Sequence, residues 1–105
     1  MKNVFEIRFS TNMSMEEMLA ILRVGKIPLE WSMRESEYEG DYIKGTTADH
    51  IKVRVIDNTK VDAEGRFGFE VYFPSVDSEC SENRKSEFLD FVRKTIFPLI
   101  RANEL

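Results

Sequence analysis

Histidine, cysteine and closely spaced carboxylates are the side chains best able to move protons, attack carbonyls or hold metals near neutral pH. This chain of 105 residues has one His, one Cys and nineteen acids. His50 follows Asp49 at the start of an extended stretch, and no Ser or Cys stands beside it to act as its nucleophile. The spacing therefore reads His50 as a partly exposed structural or interface residue, with a small enzyme using His50, Asp49 and a nearby carboxylate as the catalytic alternative. Cys80, the only cysteine, can form no internal disulfide and lacks the paired spacing of a thiolate metal site or redox motif. Residues 60–71 imitate a calcium loop, with Gly65 after Asp62 and Glu64. Lys60 and Val71, however, fall where the first and last carboxylate ligands must stand. Gly40, Gly45, Gly65 and Gly68 never take the order of a phosphate loop or a dinucleotide fingerprint. These failures read the chain as non-enzymatic, with no cofactor and no metal site.

The densest constellation is 35–42, with Glu35, Glu37, Glu39 and Asp41 interleaved with Tyr38 and Tyr42. Carboxylates steer a basic partner, and tyrosines supply rigid anchors for a buried contact. Between Pro28 and Asp49 there are six acids and two bases, so the whole formal net charge of -4 falls in this one segment. The candidate partner-binding residues are Glu35, Glu37, Tyr38, Glu39, Asp41, Tyr42, Asp49 and His50.

The elements that must position them follow from hydrophobic periodicity. Phe5, Ile7 and Phe9 alternate with polar neighbours and predict a first strand. Ser14 and Glu17 form a capping box, with Met13 and Met18 as its staple. Met15, Met18, Leu19 and Leu22 then make one helical face that Gly25, as a left-handed terminator, and Pro28 should end. Leu29, Trp31 and Met33 predict a second strand, joined to the first by either a parallel crossover or an antiparallel arrangement. Residues 35–47 read as a strand extension and an irregular hairpin or loop, rich in turn formers. Ile51, Val53 and Val55, then Phe67, Phe69, Val71 and Phe73, predict two further strands paired antiparallel. Asp77, Ser78, Glu79, Ser81 and Glu82 give a cap-rich entry to a long amphipathic helix. Phe88, Leu89, Val92, Ile96, Leu99 and Ile100 form its apolar stripe, Arg84, Lys85, Arg93 and Lys94 lie mostly on its wet side, and Pro98 should kink or end it. The fold class is α+β: one domain over 1–105, in the order β-α-β-β-β-α. A single sheet of four to five mostly antiparallel strands packs against two helices.

Composition narrows the partners. The acidic balance, and bases interspersed with acids, disfavour nucleic acid. No apolar run is long enough to cross a bilayer, and Glu6 interrupts any amino-terminal signal core, so a cytoplasmic location is expected. A small acidic α+β domain with an acid and tyrosine cluster and no catalytic set resembles the broad class of bacterial immunity proteins that neutralise toxic nucleases. That resemblance implies tight binding to a cognate, basic toxin domain, by plugging its active site or blocking its substrate. The alternative is a subunit or adaptor domain that self-associates through a sheet edge, as a homodimer.

Overall fold

The computed structural model describes residues 4–36, 40–58, 66–74 and 82–105. Strand β1 (Val4–Ser10) leads to helix α1 (Met15–Val24), then to strands β2 (Glu30–Ser36), β3 (Gly40–Thr46), β4 (Lys52–Asp57) and β5 (Phe67–Tyr72). Helix α2 (Glu82–Phe91) continues through a π-helical turn (Val92–Ile96) into the short helix α3 (Phe97–Leu99), and strand β6 (Asn103–Glu104) follows. The sheet has six strands in the order β2-β3-β4-β5-β1-β6, every neighbouring pair antiparallel.

The α+β class and the Ser14–Glu17 capping box agree with the sequence reading, while the strand count and order do not. The stretch 40–46, expected to be irregular, is a seven-residue strand paired on both sides. β1 and β2 run in the same direction and α1 carries the chain across the sheet from one to the other, but the two are not neighbours: three strands separate them, with β1 between β5 and β6 and β2 at the opposite edge. Side-chain alternation tells which face a residue takes but not which strand is its neighbour, so the order was not legible.

Strand alternation sends Ile7, Phe9, Trp31, Ile43, Val53, Val55, Phe69 and Val71 to one face, where the helices cover them as a single buried cluster. Phe97 joins the layers, 5.4 Å from the ring of Phe9 and 5.5 Å edge-on to Phe69. The Phe97 N–H bonds the carbonyl of Val92, five residues back. The widened turn rotates Phe97 onto the line of Val92 and inward, and it gives room to the ring of Pro98, which would clash with a carbonyl of a regular turn.

Two local expectations change. Gly25 ends α1 with φ -79, and the left-handed residue is Lys26 at φ 50. A Cβ on Gly25 would stand 3.1 Å from Leu99 Cδ1, so this glycine serves the close approach of α3. Lys85, expected on the wet side, is buried: it falls on the stripe of Phe88, Leu89 and Val92, its Nζ 5.9 Å over the ring of Phe73 and 3.5 Å from Glu82. The cap residues expected at Asp77, Ser78, Glu79 and Ser81 lie outside the described residues.

Candidate functional site

Both helices lie on one face of the sheet, and no described element covers the other. On that open face the register lines up Ser32, Lys44, Arg54, Glu70 and Glu6 across five strands. Tyr42 and Tyr72 stand diagonally on either side of Arg54. Its guanidinium lies 4.9 Å from the Tyr42 ring centroid and 5.6 Å from that of Tyr72. Glu70 fixes it from the next strand, accepting from Arg54 Nε at 3.0 Å and Nη2 at 2.9 Å, and also from the Tyr72 hydroxyl at 2.6 Å. A half-buried cation stacked on two rings and pinned by a shared carboxylate has little rotamer freedom left. The open face thus carries a rigid Tyr-Arg-Tyr centre.

Among the described residues, the predicted site residues Glu35, Asp41, Tyr42, Asp49 and His50 do not share one surface. Glu35 and Asp41 face each other across β2 and β3, both exposed, on the face that the helices cover farther along. Tyr42, one residue on, points to the opposite face because successive strand residues alternate. That face carries Arg8, Arg34, Lys44, Lys52 and Arg54 against Glu6, Glu30 and Glu70, so the tyrosine is set among bases, not acids. Glu37, Tyr38 and Glu39 lie outside the described residues.

Asp49 and His50 sit at the far end of β3, about 20 Å from Asp41 at the usual rise per strand residue. The β3–β4 turn closes with Thr47 N–H to the Ile51 carbonyl at 3.0 Å and His50 N–H to the Thr47 carbonyl at 3.2 Å. His50 holds the left-handed position, φ 71, that such hairpin turns usually give to glycine. Asp49 accepts from the Thr47 hydroxyl and pairs with Arg84 at the start of α2. No hydrogen bond joins His50 to Asp49 among the described residues. The Asp49–Arg84 pair rims an open groove of about 630 Å³ whose apolar walls are Leu29, Ile51, Phe88 and Phe91.

No group of three or more His, Cys, Asp or Glu able to hold a metal occurs among the described residues. No described helix is long and apolar enough to cross a membrane. No protein-family model matches the chain, and no curated protein sequence matches it.

Sequence reasoning missed Arg54, Glu70 and Tyr72 as members of a site. The signal was present: on every strand the residues between the apolar ones share a face, and reading those positions together gives the Tyr-Arg-Tyr set.

Proposed function

We propose that this chain is a non-enzymatic protein-binding domain, and that its partner clasps the end of the β2–β3 hairpin together with the adjoining open face of the sheet. The observation that carries this reading is the pinned Tyr42–Arg54–Tyr72 centre. Tyrosine and arginine dominate interface hot spots, and anchors already held in one geometry lose little entropy when a partner docks. The guanidinium occupies one side of each ring, which favours a protein contact over stacking by bases on that side. Around the hairpin end, Asp41 presents a carboxylate on one face while Arg34 and Tyr42 occupy the other. A partner that grips the hairpin meets both.

Among binding proteins, the class that fits is the cytoplasmic immunity protein, neutralising a basic nuclease toxin. The exposed Asp41 carboxylate raises the encounter rate with such a domain, and Tyr42, Tyr72 and the Arg54–Glu70 pair, whose charges offset each other, supply the buried contact. The test is to titrate the full chain into the basic toxin domain encoded beside it, reading affinity by calorimetry and inhibition by a nuclease assay. The expected result is complete inhibition, with Tyr42→Ala and Asp41→Lys each weakening binding about tenfold or more. A neighbouring gene of ordinary metabolism, or unchanged affinity in both variants, overturns the reading.

A further inference from the structure

The two edges of the sheet are built differently. At one, β1 is covered by β6, and the Leu105 N–H bonds the Arg8 carbonyl at 2.9 Å. At the other, β2 runs seven residues in unbroken register with β3, without a bulge or a proline, and no described strand lies outside it. A straight, unpaired edge is a template for another strand.

The outward groups on that edge follow from the ladder. Thr47 N–H bonds the Ile51 carbonyl, so alternate β3 residues Gly45 and Ile43 turn their backbone groups toward β4. Tyr42, Lys44 and Thr46 then bond β2, which leaves Trp31, Met33 and Glu35 with N–H and C=O pointing outward. The Trp31 carbonyl confirms the direction, since it accepts from Arg23 Nε, 3.3 Å away, at the end of α1.

We infer that this edge pairs with β2 of a second copy, antiparallel about a two-fold axis at Met33. Charge complementarity selects the register. Trp31 lies two residues to one side of Met33 and Glu35 two residues to the other, so the axis sets Trp31 opposite Glu35 of the second copy. Arg23, held at Trp31, then meets that Glu35 carboxylate, and the pair occurs twice. In the single chain Arg23 and Glu35 are both exposed, and neither takes part in an ion pair among the described residues. The same register sets every outward N–H opposite an outward C=O, about six backbone hydrogen bonds in all, with each Trp31 carbonyl using its second lone pair because Arg23 Nε already donates to it. It also places the two partly buried Met33 side chains in contact on the helix face. The two sheets become one continuous sheet, and the β6-covered edges lie at its ends.

The experiment is sedimentation equilibrium of the full chain over a roughly hundredfold concentration range, where a dimer of this kind must appear and respond to mass action. Met33→Pro removes an outward N–H without touching the β3 ladder, so it should remain folded by circular dichroism and raise the dimer dissociation constant by about tenfold or more. Arg23→Glu and Glu35→Arg should each weaken the dimer, and the double variant should restore it, which keeps the test decisive if the proline variant fails to fold. In a Cys80→Ser background, Met33→Cys should oxidise to a covalent dimer. Arg34→Cys should not, because the register pairs Arg34 with Ser32 and leaves its own copy beyond disulfide reach. A chain monomeric throughout the range, a folded Met33→Pro variant that dimerises normally, or a double variant without recovery overturns the proposal. Met33 belongs to this edge alone and Tyr42 to the toxin-binding surface alone, so failure of one reading is distinguishable from failure of the other.

Discussion

Gly45 looks like a turn former in the sequence and turns out to be a packing residue. A Cβ there would stand 2.7 Å from Trp31 Cζ3 and 2.8 Å from Val53 Cγ2, closer than carbon atoms approach without displacement. Gly45→Ala would gain roughly 0.5–1 kcal/mol of backbone entropy, yet the indole and a branched β4 side chain have little room to give. Overpacking wins, with an expected net loss of about 1–2 kcal/mol read as a lower Tm. His50 is the reverse case. Its left-handed backbone costs a non-glycine residue about 1–2 kcal/mol, only partly offset by the greater freedom glycine has when unfolded. His50→Gly should therefore raise stability by about 0.5–1 kcal/mol in thermal denaturation. A variant that gains stability but loses affinity for the toxin domain would place the imidazole at the interface. His50→Ala, if it abolished an enzymatic turnover, would favour the catalytic alternative instead. The acidic and tyrosine cluster was legible as composition and not as geometry: Asp41 and Tyr42 are adjacent in the chain and opposed in the sheet.

Elements with strong periodicity were legible, and those whose reasons are tertiary were not. The capping box on α1 forms as its spacing demands: Ser14 N–H donates to Glu17 Oε1 at 3.0 Å, and Glu17 N–H donates to Ser14 Oγ at 3.1 Å. The Ser14 backbone N–H bond, followed by the Ser14 side-chain bond, holds the Glu17 carboxyl below the ordinary glutamate range. A folded value below the unfolded one means that this stabilisation is present at neutral pH and is lost as pH falls through the lowered value. Glu17→Gln keeps an acceptor without the charge. Its Tm should lie below that of the parent chain at neutral pH, and the difference should close in acid; a constant gap across the pH series would refute the charge as the cause. β3 escaped notice because Ile43 is its only large core-facing side chain, with Asp41 and Gly45 on either side, so no alternation showed. The apolar stripe of α2 was clear, but Phe97 is turned inward by the π-helical turn, a departure that 3.6-residue periodicity does not register. Lys85 was misplaced for a related reason: charge suggested the wet side, while position put its stem on the buried stripe.

For the whole molecule the decisive contrast is between its edges. A sheet with one free edge pairs once and closes as a dimer, whereas a sheet with two free edges can keep adding copies. β6 closes the second edge with only two strand residues, so its side-chain anchor matters. Arg93 donates to both carboxylate oxygens of Glu104, with Nη2 to Oε1 at 2.9 Å and Nε to Oε2 at 3.1 Å, and this draws the Glu104 carboxyl below its ordinary range. The pair is largely exposed, so its worth alone is at most about 1 kcal/mol, and the backbone bond from Leu105 to Arg8 shares the task. Removing residues 101–105 takes away both and bares β1, while the Thr11 hydroxyl still holds the Ile100 carbonyl at 2.6 Å. The shortened chain, checked for native ellipticity, should sediment as species larger than a dimer that grow with concentration. Adding Met33→Pro should then return it to small, closed assemblies, because only one edge remains able to pair. A folded, shortened chain that stops at the dimer would show that β1 resists pairing without its cover, and that β6 is no guard.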